Sequence, residues 1–325
     1  MNRIGRGPAP QEGAQGGRAG GGEGRGSLKK GEGLRSAELT KALERATEGK
    51  TADLFRQLEL SSGLPGPRVN MNLGLAFAHD CARLGPRVDA LVEEMVTLPP
   101  NEARGASGKE FLGVCGVLAL GARAMSADED AVRDRALSLL EDKADDPRFR
   151  VRDAVPLALA MLGQKMKGDL ADRVTPWMDR YFHAAAVIRA LSEPSWLDTF
   201  SHEDHERPLG LLDAAFVLAH EAPRSAFRYP GHKALVEALG WVPKAVGRRF
   251  AQPMFERYAD WAKRVTIPEL REAILQNVAD TQMKKAFGQE IKRVKELVEE
   301  SKAPPRDPTI IRHGTRGRGK KRDRR

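Results

Sequence analysis

The sequence is poor in several things at once. It has only two cysteines in 325 residues, Cys81 and Cys115, which excludes a disulfide-built secreted scaffold and a cysteine-rich zinc domain. Both sit inside apolar helical patterns and read as buried, reduced thiols, so the expected compartment is the cytoplasm. Aromatic residues make up 6%, and no stretch alternates apolar and polar residues with β-branched enrichment, which argues against a sandwich or barrel. The longest apolar run, Phe111 to Met125, is broken by three glycines and an arginine and is shorter than the ~20 residues of a membrane span. No membrane partner is expected. The opening MNRIGRGPAPQEG lacks the apolar core of a secretory signal.

What the chain does have is an almost unbroken series of helical patterns between two polar ends. The 3.6-residue periodicity predicts helices over roughly 36–47, 51–60, 68–84, 87–98, 108–125, 128–142, 148–163 and 169–191. Further helices are predicted over roughly 205–221, 231–240, 243–264, 267–286 and 288–302. Ser126 with Glu129 and Thr266 with Glu269 carry the spacing of capping boxes, and Pro268 is tolerated in a first turn.

The formal charge of +9 is unevenly placed. Residues 1–35 hold seven Lys/Arg against three Glu, and residues 302–325 hold ten Lys/Arg against two Asp. The remaining 36–301 carries 37 basic and 40 acidic residues, a net of −3. Both ends are nearly free of apolar residues, so burial cannot offset the entropy of ordering them and they are expected to be disordered. The excess positive charge belongs to these ends and not to the helical part.

Three small-residue apolar segments recur: LGLAFA from Leu73, VLALGA from Val117 and PLALAM from Pro156, spaced by 44 and 39 residues. Each precedes a more charged amphipathic helix. The unit Asp146 to Gly163, DPRFRVRDAVPLALAMLG, has an acidic start followed by Val151-Arg152, Ala154, Ala158-Leu159 and Leu162-Gly163. It resembles the second-helix pattern of HEAT-type helical repeats, except for Pro156, which is expected to bend or open the helix. The resemblance implies an all-α fold, an α-solenoid of stacked antiparallel helix pairs. It implies that Val151, Leu159 and Leu162 are core and that Arg152 is an ion-pair or packing residue.

Four constellations are candidates for chemistry. Gly49-Lys50-Thr51 lacks the earlier glycine and the preceding strand of a phosphate loop, and Thr51 reads as a helix cap. His202-Glu203-Asp204-His205, with His220 further on, is dense in ligand types, but its histidine spacing and loop setting predict a helix start and no metal. One branch of HEAT-like proteins consists of DNA alkylation-repair glycosylases, which use aromatic residues and an acid on a concave face. Trp177, Asp179, Arg180 and Tyr181 supply those residue types, with Trp177 and Tyr181 expected on one helical face. Last, Lys244, Arg248, Arg249, Arg257, Lys263 and Arg264 interleave with Phe250, Phe255, Tyr258 and Trp261 on one predicted helix, the composition of a nucleic-acid face.

These readings give three segments: a Gly/Arg-rich tail over 1–35, a HEAT-like repeat domain over 36–301 and a basic tail over 302–325. The expected function is a non-catalytic scaffold for a protein or peptide partner, with no cofactor. Weak, sequence-indifferent nucleic-acid contact is expected through the basic tail, notably Arg316, Arg318, Lys320, Lys321 and Arg322. The alternative is a nucleic-acid-binding HEAT-like protein, the glycosylase type included.

Overall fold

Leu54 and Leu58, then Phe77, Ala78 and Cys81, then Leu137, Leu140 and Ala144 recur at three- and four-residue spacing, and each set is buried on one side of a helix. The computed structural model describes residues 30–302, with side chains from residue 37 onward. The expectations for the tails, and those for Arg316, Arg318, Lys320, Lys321 and Arg322, lie outside these residues. Among the described residues the regular structure is helical, with no strand. No helix among them is long and apolar enough to cross a membrane.

The helices are α1 (Lys30–Ala46), α2 (Ala52–Ser61), α3 (Met71–Leu84), α4 (Asp89–Thr97), α5 (Glu110–Ser126) and α6 (Asp130–Ala144). Next come α7 (Phe149–Met166), α8 (Gly168–Val174), α9 (Tyr181–Leu191), α10 (Pro194–Leu197), α11 (Glu206–His220) and α12 (Pro230–Leu239). The last are α13 (Val242–Arg249), α14 (Ala251–Arg264), α15 (Pro268–Val278), α16 (Thr281–Lys284) and α17 (Gly288–Glu300). Two compact units divide the chain, 1–38 and 39–325, and the first contributes only the opening turns of α1 to the described residues. That helix starts at Lys30, inside the stretch assigned to the tail, because extending a helix already nucleated costs little.

Three predicted helices are broken in two. The 169–191 helix is interrupted by a 3₁₀ turn at Thr175–Asp179 and an extended Arg180, since Pro176 has no N–H to bond the preceding turn. The 243–264 helix breaks at Phe250, because Pro253 cannot donate to the carbonyl of Arg249. The 267–286 helix stops at Ala279, and the Asp280 carboxylate accepts the Gln282 N–H at 2.8 Å to start α16. Neither capping box forms. Ser126 donates to the Arg123 carbonyl at 2.9 Å, and Arg133 takes the loop carbonyls of Ala127 and Asp128. Thr266 lies two residues before Pro268 and meets His220 at 3.3 Å. Pro156 lies inside α7, and the helix continues through it without a break.

Within 39–325, α3 packs on α5, α5 on α7, α7 on α9, α9 on α12, and α12 on α15. The three small-residue segments are in α3, α5 and α7, so the recurring pattern marks successive members of this row. A second set packs beside the first: α4 on α5, α6 on α5 and α7, α8 on α7, α11 on α9 and α12, and α14 on α15 and α17. Small residues set the closest approach. A Cβ on Gly121 of α5 would stand 2.6 Å from the Ala158 Cα of α7, so only glycine fits. Val151, Leu159 and Leu162 are fully buried.

The second set is also joined by a ladder of ion pairs. Arg135 of α6 reaches back to Glu93 of α4, and Arg173 of α8 to Asp134 of α6. Arg207 of α11 reaches Asp172 of α8 at 3.1 Å, and Arg257 of α14 reaches Glu206 of α11 at 2.6 Å. In the dipeptides Asp134-Arg135, Asp172-Arg173 and Glu206-Arg207, the acid therefore faces the next helix and the arginine the previous one. Each rung is partly exposed and contributes about 0.2–1 kcal/mol, so it sets register more than it holds the fold. Reversing one member, Asp134→Arg or Arg173→Asp, is expected to destabilise modestly, and the double swap to recover most of the loss. A double-mutant cycle in urea at low and high salt checks this; zero coupling would reject the rung.

Candidate functional site

The basic edge does not assemble as a free cationic face. Arg248 pairs with Asp280 at 2.7 Å, Arg249 with Asp198 at 3.1 Å, and Arg257 with Glu206 and with Asp213 at 3.1 Å. Lys263 pairs with Asp260 at 3.2 Å, and Arg264 donates to the Asp260 carbonyl. The Lys244 backbone N–H donates to Asn277 at 2.8 Å. The interleaved rings are core. Trp261 stacks on Phe216 with centroids 4.7 Å apart and donates its Nε1 to Asp213 at 2.7 Å. Phe250, Phe255 and Tyr258 are buried, and burial pushes the Tyr258 phenol well above its ordinary range.

The glycosylase constellation also separates. Trp177 is buried in the 3₁₀ turn, edge-on to His183 at 5.9 Å, while Tyr181 opens α9, so the two share no helical face. Asp179 is exposed and contacts Arg180, which is itself bound to Glu141. Burial, then Arg180, pushes the His183 imidazole below its usual range, keeping it neutral. The three histidines of the acidic cluster turn to different neighbours. His202 lies edge-on to Phe250 at 5.6 Å, His205 donates its Nδ1–H to the His202 carbonyl at 2.7 Å, and His220 stacks on Phe216 at 5.8 Å.

A different cluster forms where α5, α7, α9 and α12 begin. Glu110 opens α5 and binds Arg150 of α7 at 3.0 Å; both are buried. Arg150 lies over the exposed Phe149 ring at 4.4 Å. Arg152 crosses from α7 to lie over the Phe182 ring of α9 at 4.3 Å, which makes it the packing residue expected of it. Tyr229, just before α12, meets Phe182 at 5.6 Å and Tyr181 at 6.0 Å. Phe149 and Tyr229 are 53% and 42% exposed, which places two large side chains in water along one edge. Burial, then Asp145, raises the Tyr229 phenol, so it stays a neutral hydrogen-bonding group.

Beneath this edge, Asp146 and Arg148 form a buried two-point pair, with Nη2–Oδ2 at 2.7 Å and Nε–Oδ1 at 2.8 Å. Burial opposes ionisation of Asp146, but the hydrogen bonds and charges of Arg148 and Lys143 outweigh it and hold the carboxyl below its usual range.

No family model, curated protein or solved structure matches this chain.

Phe149, Phe182 and Tyr229 are absent from the sequence-predicted sites. Phe182 and Tyr229 are 47 residues apart and meet only because α9 packs on α12, while Arg152, one turn after Phe149 on α7, reaches the Phe182 ring. The available signal was the shared placement of aromatic residues at successive helix starts: Phe149, Tyr181-Phe182 and Tyr229-Pro230.

Proposed function

We propose that residues 36–301 form a HEAT-like α-solenoid of stacked antiparallel helix pairs, and that it works as a non-catalytic scaffold for a protein partner. The row α3, α5, α7, α9, α12, α15 and the ion-pair ladder of the second set support the solenoid reading. One observation carries the functional reading: Arg152, Phe182 and Tyr229 lie in series, with Phe149 one turn before Arg152 on α7, and all four side chains remain partly in water. Aromatic residues and arginine dominate binding energy at protein interfaces. The partner segment would supply apolar side chains for the rings and carboxylates for Arg224, Arg228 and Lys233, which flank Tyr229. The same rings could stack on bases. Asp145, near enough to raise the Tyr229 phenol and without an ion pair among the described residues, disfavours a phosphate backbone there.

A photo-reactive residue in place of Phe149 or Tyr229 is expected to cross-link one discrete protein in cells, and the same residue in place of Lys295 on α17 is not. The reading fails if the adducts are nuclease-sensitive, or if all three positions give the same pattern. With the partner in hand, Tyr229→Ala is expected to cost about 2 kcal/mol, roughly 30-fold in Kd.

A further inference from the structure

In contrast to that ladder of paired acids, two glutamates of α12 and α15 have no side-chain partner among the described residues. Glu237 of α12 and Glu269 of α15 are exposed, and neither has an ion pair or side-chain hydrogen bond among the described residues. They line a cavity of about 310 Å³ between the two helices, together with Trp241, Val236, Ala273 and Gln276. Trp241 is 42% exposed, whereas Trp177, Trp196 and Trp261 are all buried. An open indole face flanked by two carboxylates is built for a cation. The ring attracts a guanidinium or ammonium through its quadrupole, and the carboxylates add charge and hydrogen-bond acceptors.

We propose that this groove is the docking site of the chain's own C-terminal basic segment, residues 303–325, and that an arginine or lysine of the run from Arg316 onward occupies it. Charge complementarity is the first argument. The segment carries nine Lys/Arg against two Asp, while the part it would dock on is net negative. The second is where the described chain ends. Arg271 of α15 holds Ser301, with Nη2 to the carbonyl at 2.8 Å and Nε to the hydroxyl at 3.2 Å. The tail thus departs from α15, the helix that supplies Glu269, Ala273 and Gln276 to the groove. Reach is the third: 23 residues extend up to ~75 Å at ~3.3 Å each, several times the ~16 Å length of α15. The segment itself has no Phe, Tyr or Trp on which its cations could pack, and Trp241 provides such a ring.

The contact is a switch as well as a site. A polyanion that takes up the tail must strip it from the groove, so tail binding to nucleic acid and exposure of Trp241 are coupled. This inference does not depend on the partner-binding edge.

Trp241 reports on its own occupancy, because the other three tryptophans are shielded from a neutral quencher such as acrylamide. Four full-length proteins are compared: the native chain, a tail variant (Arg316→Gln, Arg318→Gln, Lys320→Gln, Lys321→Gln, Arg322→Gln, Arg324→Gln, Arg325→Gln), a groove variant (Glu237→Gln, Glu269→Gln), and the combination. Tethering holds the tail at millimolar effective concentration, so neutralising either side is expected to raise acrylamide quenching roughly twofold, and the combination to add nothing further. High salt is expected to remove the difference. Equal quenching in the native chain and the tail variant overturns the proposal. So does protection that grows with protein concentration, which would place the tail of a second copy in the groove. A synthetic peptide of residues 303–325 should protect Trp241 in the tail variant and fail on the groove variant. Equal protection of both would show unspecific attraction and also overturn it.

Discussion

Replacing Arg148 with alanine is expected to destabilise the protein by about 3–5 kcal/mol at neutral pH, because it leaves the buried Asp146 carboxylate without its guanidinium. Three bonds to Asp146 are lost or weakened, and the Ala103 carbonyl loses a donor. The pH dependence carries a sign that mere loss of packing does not. In the native chain Asp146 titrates below its unfolded value, so its contribution is full above about pH 4–5 and is lost as pH falls through the lowered pKa. In the variant, burial is opposed only by Lys143 and the residue-148 N–H and is expected to raise the same pKa, so that the variant loses stability as pH rises. The gap between native and variant is therefore expected to widen from about pH 4 to pH 7. Urea unfolding at the two pH values measures it. A gap independent of pH would mean that the carboxylate is solvated, contrary to its burial. Asp146→Asn combined with Arg148→Met is expected to recover part of the loss, since an uncharged, volume-matched pair carries no stranded ion.

Leu159→Ala is expected to cost about 2–5 kcal/mol, the range for a fully packed leucine whose cavity cannot collapse. The upper part of the range applies because α7 lies between α5 and α9, and α5 is pinned against it at Gly121 and cannot move in to fill the space. Leu60→Ala, at a leucine 78% exposed, is the matched control and should fall within about 0.5 kcal/mol of native. A cost below about 1 kcal/mol at Leu159 would remove α7 from the centre of the helix row.

Helix positions were legible because burial on one face writes a 3.6-residue period, as at Leu54–Leu58 and Ala154–Ala158–Leu162. Helix ends were not. The breaks at Arg180, Phe250 and Asp280 depend on where prolines lie relative to carbonyls and on which ring or carboxylate gains a tertiary partner. Ser126 illustrates the limit: its spacing to Glu129 is correct for a cap, but Arg133 satisfies the loop carbonyls and the hydroxyl turns inward. The ion pairing of the basic edge was hidden for the same reason. Asp280, Asp198 and Glu206 lie 32 to 51 residues from the arginines they neutralise, a distance that a window along the chain does not span. The aromatic edge follows this logic in reverse, since its rings are scattered in sequence and adjacent only after stacking.

The ladder of acid–arginine dipeptides has a direction, and that direction acts like an end group in a polymer. Each interior unit offers a carboxylate forward and a guanidinium backward, so any one of them can be duplicated or deleted and the flanking units still mate. The two ends differ. At the front, Glu93 is followed by Glu94 where later units place arginine. At the back, Arg257 is preceded by Glu256, whose carboxylate has only a weak contact with Gln252. For a second copy to extend the row, Glu256 of one molecule would have to meet a guanidinium at position 94 of the next, and it meets another carboxylate. The row can lengthen within a gene by repeating its own joint, while like charges at its two ends oppose its growth into a fibre.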